Sequence, residues 1–191
     1  MIDLAETEAA KYRTVWSRAE YRRISPGELE KETAFKWFNP RAGETLNDYG
    51  SGPARATAWF RDQGLDVLGI DHAENAAETD VPVLHRCLWD MGDVRVSDYA
   101  YCCDVMEHIP PQHVKAVLAS IAARTRKAAY FRIATRPDVM GPRLIGEPLH
   151  LTVQDAAWWG DAASAAFHGC YVDSHSNGRD CIIMLRWGVP Q

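Results

Sequence analysis

The sequence predicts an α/β protein built on a mostly parallel sheet. Short apolar runs alternate with helical patterns from about residue 45 to residue 167. Residues 45–52 read Thr-Leu-Asn-Asp-Tyr-Gly-Ser-Gly, a strand that ends in a glycine loop. The next apolar run, 66–71, ends in Asp71. Strand, glycine loop, helix and acidic strand tip, in that order, build a nucleotide or nucleoside cradle at the carboxyl edge of a parallel sheet. The glycines let the backbone approach the ligand, and the acid accepts ribose hydroxyls.

The elements follow in order. Residues 3–21 carry Tyr12, Val15, Trp16 and Ala19 at helical spacing. Ser25-Pro26-Gly27-Glu28 reads as a capping box with proline at the first helical position, opening a second helix to about Phe38, which Asn39-Pro40 stops. Residues 1–40 are therefore expected to be a helical extension or lid, and 41–191 the ligand-binding domain. Strand 45–49 precedes a helix over 53–63 that ends at Gln63-Gly64, and strand 66–71 precedes a polar stretch too short for a helix. Strands are expected at 81–86, 98–103 and 128–133, with Pro111 opening a helix to about Arg124. Three prolines and two glycines make 134–149 a loop of functional length. Thr152-x-x-Asp155 reads as another capping box, for a helix to Phe167. Tyr171–Ser174, a turn at Asn177-Gly178 and Cys181–Trp187 form a terminal hairpin, which gives the sheet one antiparallel strand.

The chain has 191 residues, 47% hydrophobic and 25% charged, ordinary values for one globular domain. A net charge of −5 argues against non-specific nucleic-acid binding. No apolar run reaches the ~20 residues of a membrane span. The acidic start Met1–Glu6 lacks the basic, apolar pattern of a signal peptide, so a cytoplasmic protein is expected. Cys87, Cys102, Cys103, Cys170 and Cys181 form no Cys-x-x-Cys pair, so buried thiols are expected, with neither disulfides nor a metal site. Cys102 and Cys103 should face opposite sides of their strand.

Position 55 decides against one class of ligand. A dinucleotide fingerprint needs glycine or alanine there for close helix packing, and this chain has Arg55. The Lys-Ser/Thr that ends a phosphate-binding P-loop is also absent. Asp48, just before the glycines, suits a cationic ligand better than a pyrophosphate. The segment resembles the first motif of class I S-adenosylmethionine-dependent methyltransferases, Asp-x-Gly-x-Gly. Cys103-Asp104-Val105-Met106-Glu107-His108-Ile109-Pro110 resembles the strand-4 motif of the same superfamily, in the right order and at the right separation. The resemblance implies a Rossmann-like methyltransferase fold with strand order 3-2-1-4-5-7-6, strand 7 antiparallel, and S-adenosyl-L-methionine as cofactor.

It also implies roles. Gly50, Ser51 and Gly52 would face the methionine half of the cofactor, unless they merely make a tight turn. Asp48 would bind its ammonium group, or cap the loop's N–H groups. Asp71 would take the ribose and His72 the adenine face. Asp90 would accept the adenine amino group, with Trp89 as a stacking neighbour, or be an ordinary surface acid. Asp104 would stand beside the sulfonium. His108 is the candidate base for a hydroxyl or amine acceptor, and Glu107 its partner in organising the site. His150 lies in Gly146–Thr152, which resembles the superfamily's loop where a histidine faces the substrate. Arg136 and Arg143, on the long loop, are candidates to clamp an anionic acceptor. Tyr12, Trp16, Tyr21 and Arg22 form either a lid over the cofactor or the packing face of an extra helix.

The expected activity is methyl transfer to an oxygen or nitrogen atom, of a small molecule more than of a nucleic acid. The Asn/Asp-Pro-Pro-Tyr/Phe tetrapeptide of enzymes that methylate exocyclic base amines is absent. A non-catalytic cofactor-binding protein on the same fold is the second alternative. An NAD-dependent oxidoreductase is disfavoured by Arg55 and by the lack of a Tyr-x-x-x-Lys pair. The sequence does not specify the oligomeric state.

Overall fold

In a computed structural model, residues 4–23 and 25–188 are described. The expected helix start at Asp3 lies outside them. The first helical pattern forms two helices, α1 (Leu4–Trp16) and α2 (Ala19–Arg22). The break falls at Arg18, whose backbone is extended at φ −90°, ψ 122°. It folds the chain back so that Trp16 and Tyr21 meet edge to face, ring centroids 4.7 Å apart.

Helix α3 (Pro26–Phe38) begins and ends where the sequence places it. Its capping box does not form. The Ser25 side chain makes no cap bond, while Glu28 instead accepts from Arg55 Nε at 2.9 Å. An ion pair across elements has displaced the local reciprocal bond. Arg55 also reaches Glu78 at 2.9 Å and the Arg22 carbonyl at 2.8 Å. The residue that breaks the dinucleotide fingerprint thus bolts the N-terminal helices to the core.

Strands β1 (Thr45–Tyr49) and β2 (Asp66–Asp71) match expectation, with α4 (Arg55–Asp62) between them. Strand β3 (Val83–His85) is shorter than expected, and β4 (Ser97–Cys103) agrees within one residue. The helix expected from Pro111 starts later, as α5 (Val114–Ala123). Strand β5 (Thr125–Ala134) is longer than expected: β4 already pairs with it at Thr125, and β7 (Asp180–Arg186) pairs antiparallel with it from Ala128 to Ala134. The loop after β5 contains a short helix, α6 (Met140–Ile145). Its three prolines and two glycines masked that helix in the sequence. Helix α7 (Ala156–Ala166) is capped by Asp155, which accepts from Trp158 N at 2.8 Å. Thr152 is not the cap: its hydroxyl donates to the Ile109 carbonyl at 2.7 Å and pins the loop beneath the strand-4 turn. Strand β6 (Tyr171–Ser176) completes the hairpin with β7.

The seven strands lie in the order β3-β2-β1-β4-β5-β7-β6, and β7 is antiparallel to both its neighbours. Strand periodicity sorts side chains between two faces. Tyr99, Tyr101 and Cys103 of β4 pack with Ala34, Phe38 and Phe60 of α3 and α4. Ala100 and Cys102 pack with α5 and α7, on the face that holds Trp159 and Phe167. The two adjacent cysteines do face opposite ways, both buried, and with Cys170 and Cys181 they are free thiols. Helix α3 therefore belongs to one side of the sheet sandwich. Helix α1 instead crosses the carboxyl edge, where Tyr12, Val15 and Trp16 bury against Ala73, Ala76 and Leu149. No helix among the described residues is long and apolar enough to cross a membrane.

Candidate active site

Strands β1, β2 and β4 are neighbours and run parallel, so their carboxyl tips meet. Gly50 and Gly52 adopt φ of +71° and +51°, where a side chain is strained. A Cβ on Gly50 would overlap the Val105 methyls, and one on Gly52 would stand 2.9 Å from the Trp16 ring. Asp71 joins two tips: one carboxylate oxygen accepts from Gly52 N at 2.8 Å and the other from Ala73 N at 2.8 Å. Asp48 is buried and accepts from the Thr57 hydroxyl at 2.5 Å. Burial pushes Asp48 up to about 7, opposed by that hydrogen bond.

Two hollows open on this edge. The smaller is walled by Gly50, Asp71, His72, Leu88, Trp89 and Asp104, and roofed by Tyr12 and Trp16; its volume is about 70 Å³. The larger, about 770 Å³, runs past Asp48, Gly50, Ser51, Gly52, Asp104, Arg132, Arg136, Arg179 and His150. They meet at Trp16, Tyr21, Gly50, Asp104 and His108, which line both. Apart from Asp90, the residues that the resemblance assigns to S-adenosylmethionine fit that group. Gly50 lines both hollows with main chain alone, Asp71 faces the small hollow, and the Ser51 hydroxyl is buried with no hydrogen-bond partner. The small hollow is below the ~300 Å³ typical of ligand sites, with the Tyr12 and Trp16 rings as its roof.

Beyond the junction, Glu107 and His108 occupy a 3-10 turn, Met106–His108, that follows Asp104. Asp104 is left-handed at φ +61°, and its N–H donates to the Arg132 carbonyl at 2.8 Å. Glu107 is fully buried and accepts from Ala134 N at 2.7 Å. Burial, with Asp104 beside it, pushes the Glu107 carboxyl well above its usual range. His108 Nδ1 lies 2.6 Å from the Tyr12 hydroxyl and 3.1 Å from the Leu149 carbonyl. Burial pushes His108 down to about 4, against the pull of Asp104. It is therefore neutral at ordinary pH, and the near-neutral titration expected of a histidine is displaced. His150 stands edge to face with His108, centroids 4.8 Å apart, and its Nδ1 donates to the Arg136 carbonyl at 2.7 Å.

Most of the residues read from the sequence converge, and two do not. Asp90 is exposed and on neither wall. Its N–H bonds back to the Cys87 carbonyl at 2.9 Å, in a turn whose Leu88 and Trp89 line the small hollow. Trp89 stacks on His113 at 4.9 Å. Arg143 is exposed on α6, with Nη2 3.4 Å from Met140 Sδ, and lines neither hollow. Arg136 does line the cleft, and its Nε is buried with no hydrogen-bond partner.

Three contributors went unnoticed in the sequence. Arg179 reaches the cleft because an antiparallel β7 starts where the parallel strands end; the Asn177-Gly178 turn signals that place. Arg132 lines the cleft while paired with Asp180 at 2.8 Å. Asp138 orders the long loop by accepting from Gly141 N and Leu149 N at 2.6 Å and from His150 N at 3.1 Å. Burial opposes its ionisation, but these three donors hold the carboxyl below its usual range.

Comparison with known proteins follows this geometry. Residues 19–180 match the family model described as a methyltransferase domain. No curated protein matches the chain by sequence. Among solved structures, the DhpI–SAH complex has a TM-score of 0.70 at 16% identity, covering 97% of each chain. The 1,6-didemethyltoxoflavin-N1-methyltransferase of Burkholderia thailandensis, bound to 1,6-didemethyltoxoflavin and S-adenosylhomocysteine, has a TM-score of 0.70 at 16% identity, covering 98% of this chain and 92% of that one. The magnesium protoporphyrin IX methyltransferase ChlM of Synechocystis PCC 6803, with bound SAH, has a TM-score of 0.66 at 15% identity, covering 96% and 95%. At such identities the likeness is one of fold, and the family match spans most of the chain. The chain therefore belongs to the methyltransferase domain family, on the fold of the class I S-adenosylmethionine-dependent methyltransferases.

Proposed function

We propose that the protein transfers the methyl group of S-adenosylmethionine to an oxygen or nitrogen atom of a small, anionic acceptor. One observation carries this reading: a small hollow walled by Asp71, His72 and Trp89 joins a large cleft at Gly50, Asp104 and His108. The lining of the first, an acid beside a histidine and a tryptophan ring, is of the kind that takes a nucleoside once the Tyr12 and Trp16 roof lifts, and the second has the volume of a small-molecule site. The solved neighbours with bound SAH support the cofactor, and the toxoflavin and porphyrin enzymes among them support a small acceptor.

When bound, the cofactor supplies an electrophilic methyl on a sulfonium. The protein's own residues then do four things. Gly50 and Gly52 admit the ligand against the main chain, and Asp71 binds its ribose. Asp48 and Asp104 offer negative charge to a cationic ligand. Arg136, with an unpartnered buried Nε, takes a carboxylate or phosphate on the acceptor. His108, held neutral at the junction, or His150 in the cleft takes up the acceptor's proton, while Glu107 holds the turn. Helices α1 and α2 exclude water from the transfer as a lid, since alignment and desolvation carry most of such a displacement.

The test is turnover with ¹³C-methyl-labelled S-adenosylmethionine and a panel of hydroxy and amino compounds bearing a carboxylate or phosphate. Release of S-adenosylhomocysteine with the label on oxygen or nitrogen is the expected result. A label on carbon would remove the assignment of the atom. Turnover with RNA or DNA alone would remove the small-molecule reading, and tight cofactor binding without any turnover would favour a binding protein.

A further inference from the structure

Glu107, His108 and His150 bring a carboxylate oxygen and two imidazole nitrogens within 4.8 Å of one another. The set joins the turn after β4 to the far end of the loop after β5. Each imidazole has a main-chain carbonyl at Nδ1: Arg136 O for His150 at 2.7 Å, and Leu149 O for His108 at 3.1 Å. A ring that donates through Nδ1 carries its lone pair on Nε2. That outer carbonyl is the usual support of a metal-ligating histidine. The Tyr12 hydroxyl, 2.6 Å from His108 Nδ1, shares the same hydrogen in this tautomer.

The second, independent observation concerns Glu107. It is fully buried, its Oε1 accepts from Ala134 N, and its Oε2 is buried without a hydrogen-bond partner. The Asp104 carboxyl lies beside it. A buried carboxyl oxygen with a half-buried carboxyl beside it needs a proton or a cation between or beside them.

We infer that Glu107 Oε2, His108 Nε2 and His150 Nε2 bind one divalent metal ion at the junction of the two hollows. Two imidazoles and one carboxylate suit zinc, iron, cobalt or manganese better than magnesium or calcium. Ligand bonds of ~2.0–2.2 Å require the three atoms to close by about an ångström on binding. Three protein ligands leave positions open. With the ion bound, neither imidazole has a lone pair left for the acceptor's proton, and the ion instead makes an acceptor hydroxyl placed there acidic enough to lose it to solvent; this role, unlike the binding itself, rests on the proposed methyl transfer. The expectation of no metal site rested on the cysteines, and none of them belongs to this set.

Co²⁺ titration of the full chain, untagged and stripped with chelator, is the test, read by visible d–d absorption and by calorimetry. One ion per chain is expected, with His150→Ala and Glu107→Gln each weakening it by about tenfold or more. His150 is only partly buried, so its variant remains informative if the Glu107 variant does not fold. Absence of bands and heat, the outcome if a proton alone bridges Asp104 and Glu107, overturns the proposal. So does a Co²⁺ site that His150→Ala leaves unchanged. Calorimetry with S-adenosylhomocysteine on the same samples separates the two readings: binding of the nucleoside without Co²⁺ removes the metal site alone, and binding of Co²⁺ without the nucleoside removes the cofactor assignment alone.

Discussion

The small hollow over Asp71 and the large cleft beyond His108 share a junction but are made from different kinds of chain. The hollow's polar floor comes from two consecutive strand tips, and its key bond joins main chain to side chain, Gly52 N to Asp71. The cleft shares the glycine loop, but the rest of its wall is side chains from α3, the turn after β4, the loop after β5 and the β6–β7 turn. Backbone geometry needs only glycines and one acid at a fixed spacing. A cleft of side chains needs each contributing segment to be placed by others, as Asp138 places His150 and Thr152 fastens the loop under Ile109. The hollow should therefore be sensitive to backbone change and the cleft to single side chains.

The sharpest way to break that contrast is Gly50→Val. The left-handed φ and the overlap with Val105 together cost about 2–5 kcal/mol. Calorimetry should show S-adenosylhomocysteine binding reduced by about a hundredfold or more, with a lowered melting temperature. Full affinity in that variant would show that the loop does not carry the ligand.

Asp71→Ala comes next. It removes the proposed ribose acceptor and leaves Gly52 N without its partner, a loss on the order of 1.5–3 kcal/mol. Cofactor affinity should fall by about tenfold or more, and calorimetry on a folded variant checks it.

Asp48 sharpens the comparison through pH. Its carboxyl is raised to about 7 in the folded protein by burial. The unfolded chain releases this proton near 3.8, the ordinary value for an aspartate, so the folded state holds more protons between those values. Its contribution to stability is therefore full below the unfolded value and declines as pH rises to about 7. Ligand binding has the opposite dependence. An ammonium group needs the carboxylate, so affinity should be about tenfold weaker at pH 6 than at pH 8. Asp48→Asn should flatten both profiles, in urea melts and in calorimetry. A wild-type affinity that does not change with pH would dissociate Asp48 from the ammonium group.

The smallest effects separate two arginines of one loop. Arg136→Ala should raise the acceptor KM by about tenfold, the value of a charge-assisted bond, without changing cofactor affinity. Arg143→Ala, exposed on α6, should stay within about 0.5 kcal/mol of wild type in stability and leave KM unaltered. Equal effects in both variants would mean that the loop closes on the acceptor in a different arrangement.

The sequence by itself determined the Rossmann-like frame and the cofactor edge. Strands 45–49 and 66–71 are apolar runs bounded by turn residues, and the glycine loop and Asp71 are local signals that need no distant partner. The hairpin, with the antiparallel strand it implies, was legible for the same reason. Tertiary structure decided what depends on competition between partners. Ser25 lost its capping partner when Glu28 found Arg55, and Asp155 rather than Thr152 capped α7 because Ile109 claims the Thr152 hydroxyl. Asp90 and Arg143 have plausible positions in the chain, yet neither reaches a wall of the site, since neither exposed side chain is held inward. The meeting of Tyr12, His108 and His150 could not be read along the chain: its three residues lie on separate segments, and only the packing of α1 and the long loop against the strand-4 turn brings them together.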